Sequence, residues 1–294
     1  MDVLAGDDGV CVMIPSMGPT LIDAHVHVWT DDIATYPQLR AAPAGAPRVF
    51  TPEDFFGHAS RQGVGRAVLV QVSFYGFDNS YLTNILQRYP GKFSGIGRVD
   101  ENGADPTAAM IKLQALGCRG FRVVSAGVAA QWLDTPGMAA MWRCAAERRL
   151  PICTLIDPSV LPALHRMCAR HPATPVVIDH LARIGMDGNP READIALLCS
   201  FARHKNVYVK VSAFHALDPH GPPYTAVLPT IRRVYEAFGA ARLMWGSDSP
   251  FQVQREHTYQ ASVSLIARIR MPESDRDFLM RGTAERLFFT PDQH

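Results

Sequence analysis

The chain has 294 residues, a formal net charge of +1 and a hydrophobic fraction of 47%. This composition is typical of a folded globular protein, and the evenly mixed charge argues against a nucleic-acid-binding surface. The six cysteines are scattered without a C-x-x-C pair, so we expect neither a disulfide framework nor a cysteine-built zinc site.

The beginning of the chain carries acidic residues and lacks a basic segment followed by an apolar one, unlike a secretory signal. No apolar run reaches the roughly 20 residues that a membrane-spanning helix needs. We therefore expect a cytoplasmic protein without nucleic-acid or membrane partners. We divide it into an N-terminal extension, residues 1–19, and one domain, residues 20–290.

Short apolar runs of strand length alternate with longer amphipathic segments along the chain. Thr51-Pro52 and Thr135-Pro136 each place a capping hydroxyl before a proline at a helix start, and residues 272–289 predict a closing helix. Eight strand–helix repeats predict a single-domain (β/α)8 TIM barrel. An open doubly wound sheet is the alternative, but the first strand is not followed by a glycine-rich turn. The predicted strands are residues 21–27, 67–73, 93–99, 119–124, 151–156, 175–180, 207–212 and 242–248.

Polar side chains that could take part in catalysis lie at the carboxyl ends of three of these strands. In "LIDAHVHVW", strand alternation places Asp23, His25 and His27 on one face, which we expect to point into the barrel. His180 ends the sixth strand and Asp248 ends the eighth. Because active sites of such barrels lie at the carboxyl rim, three imidazoles and a carboxylate are expected to meet there.

The motifs "DAHVHVW", "VIDHLAR" and "LMWGSDSPF" resemble the amidohydrolase superfamily, over about residues 20 to 290. More narrowly they resemble the amidohydrolase-related branch that includes 2-pyrone-4,6-dicarboxylate lactonase and sugar-acid lactonases. This resemblance implies a hydrolase that opens a lactone, with Asp248 as the general base for water. His25, His27 and His180 would polarise the carbonyl and stabilise the oxyanion.

The resemblance is compatible with two expectations about a bound metal ion. The lactonase branch implies no cofactor, which is our first expectation. The alternative is one zinc ion on His25, His27 and Asp248, since catalytic zinc commonly takes three protein ligands and water. The fourth and fifth strands offer no further ligand, and we expect Cys153 to be a core residue.

The resemblance also suggests residues that contact substrate. Arg122 matches an arginine that would hold a substrate carboxylate, although it could instead pair with a carboxylate at the rim. Ser73 and Tyr75 follow the second strand and are expected in the pocket wall. Trp29 would lie beside the substrate ring or pack under a loop.

Three positions depart from the pyrone-dicarboxylate pattern. Val128 and Ala216 stand where arginines are expected, and Leu155 replaces a tyrosine. We therefore expect a lactone or carboxylic acid with one carboxylate or none. Polar residues nearby in sequence that could compensate are His215, Lys210 and Arg183.

Two other functions fit the same residues. One is a zinc-dependent decarboxylase of the superfamily, against which the missing fifth-strand histidine counts. The other is a barrel that binds a ligand without turning it over. A homo-oligomer is compatible with the architecture, but no sequence feature establishes it.

Overall fold

The computed structural model describes residues 20–125 and 130–290 of the chain. Eight parallel strands form one sheet in sequential order, as predicted for a (β/α)8 barrel. Their ends differ from the predicted ones by three residues at most. The strands are β1 (Leu21–Val26), β2 (Val64–Val70), β3 (Phe93–Gly97), β4 (Cys118–Val124), β5 (Ile152–Leu155), β6 (Val176–Ile178), β7 (Val207–Ser212) and β8 (Leu243–Gly246). The predicted extension, residues 1–19, lies outside the described residues, so the domain division stays a prediction.

Helices follow the strands and cover the outside of the barrel. Thr51 accepts a hydrogen bond from the backbone N–H of Asp54, and Thr135 accepts one from Met138, which confirms both predicted caps. None of the described helices is long and apolar enough to cross a membrane. The helices are α1 (Pro52–Ala59), α2 (Ser80–Arg88), α3 (Pro106–Ala115), α4 (Pro136–Glu147), α5 (Leu161–Arg170), α6 (Glu192–Ser200), α7 (Phe214–Leu217), α8 (Leu228–Phe238), α9 (Tyr259–Ala267), α10 (Glu273–Asp277) and α11 (Thr283–Phe288).

The barrel interior is a small apolar cluster, separate from the larger core between strands and helices. Cys153 packs in this interior cluster, as predicted for a core cysteine. From the closing segment, Ala284 and Phe288 of α11 join the same cluster. The segment is helical as predicted, but a π-helical turn, Phe278–Gly282, connects α10 to α11.

A β-bulge in β1 changes which side chains face the barrel interior. Asp23 pairs with Ala67 and Val26 with Leu69, so three steps along β1 match two along β2. Such a bulge re-aims a side chain, and bulges are frequent beside active sites. The expectation that Asp23 shares the inward face with His25 is therefore wrong. Its carboxylate points toward α9 instead, where it accepts a hydrogen bond from the hydroxyl of Tyr259.

The barrel closes where β8 meets β1. The backbone N–H of Asp248 donates to the carbonyl of His25 at 2.8 Å, and that of His27 donates to Ser249 at 2.8 Å. Asp23 Oδ1 accepts the N–H of Ser247 at 2.8 Å. This closure holds the candidate catalytic residues of the two strands side by side.

Candidate active site

The Asp248 carboxylate lies at the centre of the predicted constellation. Its Oδ1 atom is 3.2 Å from Nε2 of His27 and 3.6 Å from Nε2 of His25. Nε2 of His180 lies 3.9 Å from the same oxygen. All four predicted residues are thus brought together, and each is buried. The arrangement is a single carboxylate oxygen facing three imidazoles.

His180 reaches the site from a turn and not from a strand. Strand β6 ends at Ile178, and residues 180–183 all have positive φ. This left-handed turn re-directs the chain at the rim, which strand periodicity could not predict. Nδ1 of His180 lies 2.8 Å from Oγ of Ser212 on β7, which fixes the ring.

Burial and mutual charge govern the protonation of the site. Burial alone would raise the pKa of Asp248, but the imidazoles of His180, His27 and His25 outweigh it and lower the pKa. Burial lowers the pKa of His180 to about 4. It also lowers the pKa of His25 well below its usual value, aided by Lys210. At neutral pH these two rings are therefore neutral and Asp248 is ionised.

The proton of His27 is placed by its backbone partner. Nδ1 lies 2.7 Å from the carbonyl oxygen of Val70, and a carbonyl only accepts. In its uncharged form the ring therefore donates from Nδ1 and leaves a lone pair on Nε2. Among the described residues, no aligned donor reaches Oδ1 of Asp248. A lone pair and a carboxylate oxygen thus face each other at 3.2 Å, which calls for a shared cation or proton.

The spacing of the ligand atoms fits a zinc ion. Nε2 of His25 lies 3.3 Å from Nε2 of His27, and Oδ1 of Asp248 lies 3.6 and 3.2 Å from them. Tetrahedral zinc with bonds of about 2.0–2.1 Å separates its ligands by about 3.3–3.4 Å. These three residues could therefore hold a metal, as could the second cluster of His25, Asp179 and His180.

A charged group lies behind the imidazoles, deeper in the barrel. Lys210 Nζ is 3.1 Å from Asp179 Oδ1 and 3.1 Å from His25 Nδ1. Arg122 Nε approaches the other oxygen of Asp179 at 3.5 Å. The sequence left Lys210 unplaced, but the pattern "VYVKVS" contained a signal. Its valines alternate on the outer face, so Lys210 shares the inner face of β7 with Ser212.

A cavity of about 330 Å³ opens at the carboxyl rim above this cluster. Its wall includes His27, His180 and Asp248, whereas His25 is fully buried beneath them. His215, which the sequence did not place, lines the cavity with Nε2 3.7 Å from Oδ2 of Asp248. The described residues of the wall also include Ser73, Arg122, Leu155, Arg183 and Ala216.

Two of the predicted substrate residues lie away from this wall. Trp29 is fully buried and donates from Nε1 to the carbonyl of Pro47 at 3.0 Å, which is packing under a loop. The Tyr75 hydroxyl accepts the backbone N–H of Thr30 at 3.3 Å, and the described cavity wall contains neither aromatic ring. Val128, where an arginine was expected, lies outside the described residues.

Arg122 lies at the cavity and beside a protein carboxylate, and its contact with a substrate carboxylate stays a prediction. It lines the cavity, and its Nε faces the buried carboxylate of Asp179. Ser73 in the cavity wall accepts a hydrogen bond from Arg40 Nη2 at 2.6 Å. Arg183 is paired with Asp157 at 3.1 Å. The described cavity wall therefore contains two arginines, Arg122 and Arg183, and each already faces a protein carboxylate.

Comparisons with known proteins find relatives by sequence and a solved protein of the same fold. The L-fucono-1,5-lactonase of Burkholderia ambifaria is 33% identical over 78% of this chain and 80% of its own. The 2-pyrone-4,6-dicarboxylate hydrolase of Comamonas testosteroni is 26% identical over 80% of this chain and 78% of its own. A solved amidohydrolase from Burkholderia multivorans with bound zinc has a TM-score of 0.80 at 23% identity, covering 93% of this chain and 100% of that one.

The family match spans the whole barrel. The sequence model of the family described as Amidohydrolase matches residues 22–290, which include β1 from its second residue, all of β2 to β8, the candidate catalytic residues and the closing helix. The resemblance seen in the motifs is thereby confirmed. This chain belongs to the amidohydrolase family.

Proposed function

We propose that the protein hydrolyses a lactone. The observation that carries this proposal is the ionised Asp248 carboxylate, which faces three imidazoles on one side and the cavity on the other. Two relatives are named for lactone-opening hydrolases, which supports the same reaction class. A carboxylate base beside fixed polar groups suits water attack on an ester carbonyl.

In the proposed reaction, the two oxygens of Asp248 have separate roles. Oδ1 is directed to the imidazoles, while Oδ2 lies toward His215 at the cavity wall. Oδ2 accepts a proton from water as the water oxygen attacks the lactone carbonyl. When the tetrahedral intermediate collapses, the ring C–O bond breaks and Asp248 returns the proton to the leaving alkoxide. One water is consumed and a hydroxy acid is released.

Among the three imidazoles, the ring of His180 is placed to stabilise the negative charge that develops on the carbonyl oxygen. His180 is neutral at pH 7 and reaches the cavity, so its ring can donate to this oxygen without the cost of a buried positive charge. His27 holds its orientation through Val70. His25 lies one layer below and acts through its neighbours.

The positions of His25, His27 and Asp248 support the alternative of one bound zinc ion. The expectation that the enzyme has no cofactor stays a prediction. The orphaned Oδ1 of Asp248 and the lone pair of His27 both suit a cation between them. His25, His27 and Asp248 would hold the ion. When bound, zinc supplies Lewis-acid polarisation of a carbonyl and lowers the pKa of a bound water.

The cavity wall limits the substrate to few negative charges. Leu155 and Ala216 contribute apolar surface where the pyrone-dicarboxylate pattern has polar groups. Arg122 can meet one carboxylate with its guanidinium fork while its Nε stays with Asp179. We therefore propose a sugar-acid lactone without a carboxylate, such as L-fucono-1,5-lactone, or a lactone with one.

Proton release from a panel of lactones tests this function. The panel contains neutral aldonolactones, a monocarboxylated lactone and the pyrone dicarboxylate, each offered to zinc-supplemented and chelator-treated enzyme. We expect turnover of an uncharged or singly charged lactone well above spontaneous hydrolysis. No turnover of any lactone, together with carbon dioxide release from aromatic acids by the zinc form, would replace this proposal with the decarboxylase.

A further inference from the structure

Lys210 is a buried cation with two partners at equal distance. It lies on the inner face of β7 and is fully buried. Its Nζ is 3.1 Å from Nδ1 of His25 and 3.1 Å from Oδ1 of Asp179. The proposed reaction uses neither Lys210 nor Asp179. Burying such a pair is costly unless its hydrogen bonds are satisfied, so its presence beside His25 requires an explanation.

The contact with Lys210 decides where the proton of His25 sits. An ammonium group has only donors, so Nδ1 of His25 must accept from it. A neutral imidazole that accepts at Nδ1 carries its proton on Nε2. That Nε2–H lies 3.3 Å from Nε2 of His27, which has a lone pair, and 3.6 Å from Asp248 Oδ1. In this tautomer His25 is a hydrogen-bond donor to the site and cannot ligate a metal through Nε2.

A hydrogen bond to Asp179 would favour the opposite tautomer of His25, with the proton on Nδ1. Its Oδ1 lies 3.6 Å from Nδ1 of His25, just beyond hydrogen-bond distance. Neither carboxylate oxygen of Asp179 has an aligned donor among the residues that the structure describes. A small rotation of the His25 ring would let Nδ1–H donate to Asp179, leaving a lone pair on Nε2. A carboxylate that holds the far nitrogen of a ligating histidine in this way strengthens metal binding.

We propose that Lys210 and Asp179 compete for Nδ1 of His25 and thereby set the metal affinity of the site. Lys210 holds His25 as a donor in the metal-free enzyme, and metal binding moves the proton to Nδ1 and transfers the contact to Asp179. Both are positioning residues that act through His25. The proposal concerns the site of the proposed lactone reaction. Its test measures the tautomer of His25 and the zinc affinity without substrate, so it does not depend on turnover.

A purely structural role for Lys210 makes a different prediction. If it only neutralised Asp179, removing it would leave a buried carboxylate facing Arg122 alone and would loosen the whole cluster. Zinc binding would then weaken in Lys210→Met and Asp179→Asn alike. Competition predicts opposite signs, because Lys210→Met frees Nδ1 to donate to Asp179, while Asp179→Asn leaves Lys210 as its partner. A bare charge effect shares these signs, so the position of the proton on His25 separates the two.

The tautomer is read directly by two-bond nitrogen–proton NMR correlations on metal-free protein with ¹⁵N-labelled histidine, assigned through the backbone. We expect His25 to carry its proton on Nε2 in the unaltered enzyme and on Nδ1 in Lys210→Met. A proton on Nδ1 in the unaltered, metal-free enzyme overturns the proposal, whether or not any variant folds.

Zinc affinity, measured by competition with a chromophoric chelator, provides the second readout. Changes in groups that orient a metal-ligating histidine alter affinity by about 10- to 100-fold. We expect Lys210→Met to tighten zinc binding and Asp179→Asn to weaken it, each within that range. Circular dichroism establishes that both variants are folded. Weaker binding in a folded Lys210→Met protein contradicts the competition.

Discussion

The carbonyl oxygen of His25 accepts the backbone N–H of Asp248 at 2.8 Å. This bond joins the first and last strands, so the seam that closes the barrel also carries the candidate base and two of the imidazoles. The relative position of these groups is consequently set by backbone pairing and does not depend on flexible loops. Damage to the seam should affect stability and activity together.

Gly246→Ala tests this coupling. A Cβ at Gly246 on β8 would lie 2.8 Å from Cβ and 2.9 Å from the backbone nitrogen of His25, closer than atoms can pack. We expect β8 to be pushed from β1, with the free energy of unfolding lowered by about 1–3 kcal/mol. Lactone turnover should fall in parallel, as measured by denaturant unfolding and steady-state rates on the same preparation.

The matched control is Gly57→Ala on α1, where an added Cβ meets nothing within 4 Å. This variant should keep the activity of the unaltered enzyme and its stability to within about 1 kcal/mol, since alanine favours helices. Full activity in Gly246→Ala would show that the seam does not fix the catalytic geometry.

Tyr259→Phe probes the buried carboxylate on the other side of β1. The Tyr259 hydroxyl donates to Asp23 Oδ2 at 2.7 Å. Burial raises the pKa of Asp23 to about 6, although hydrogen bonds from Ser247, Tyr259 and His25 oppose it. Because the folded-state pKa lies above the unfolded one, this group makes the protein less stable as pH rises toward and past 6.

Loss of the hydroxyl should therefore cost more when Asp23 is ionised. We expect Tyr259→Phe to lower the free energy of unfolding by about 1–3 kcal/mol at pH 8 and by less at pH 5, where the carboxyl is mostly protonated. Urea unfolding at the two pH values measures the difference. An equal loss at both would mean that ionised Asp23 does not depend on this bond.

Arg122→Lys tests the proposed carboxylate contact. Lysine keeps the positive charge beside Asp179 but loses the planar fork that meets two carboxylate oxygens. We expect KM for a monocarboxylated lactone to rise about 10-fold, the equivalent of one charge-assisted hydrogen bond. KM for a neutral lactone should hardly change. Equal changes in KM for both lactones would show that Arg122 pairs with Asp179 and does not contact the substrate carboxylate.

His27→Ala tests the metal site without any need for turnover. His27 contributes a lone pair that lies 3.2 Å from Asp248 Oδ1. In zinc-supplemented protein the alternative site predicts one ion per chain, with an affinity more than about 100-fold lower in His27→Ala, because removing a metal ligand costs more than changing a group that only orients a ligand. The control, His58→Ala, removes an exposed histidine on α1. Unchanged zinc binding in His27→Ala would remove this residue from the metal site.

Much of the fold could be predicted because buried parallel strands have a clear apolar pattern. The position of each strand was correct, and so was the convergence of His25, His27, His180 and Asp248. The β1 bulge could not be seen, because it inserts one residue without altering composition, and it reversed the side on which Asp23 lies.

Other features of the site depended on tertiary packing. The left-handed turn that carries His180 contains no glycine until Gly185, so local sequence gave no sign of it. His215 reaches Asp248 only because α7 folds back over the rim. Lys210 was not placed either, although a lysine alternating with valines on a buried strand is a local signal for an inward charge.

In the proposed reaction Asp248 is the base for lactone hydrolysis. The most direct test compares kcat/KM of Asp248→Asn with that of the unaltered enzyme on the best lactone of the panel. Asp277→Asn, at an exposed carboxylate paired with Arg281, serves as the matched control. We predict a loss of about 10²- to 10⁴-fold for Asp248→Asn with the fold intact, and none for the control. Undiminished turnover by a folded Asp248→Asn protein would show that Asp248 is not the base.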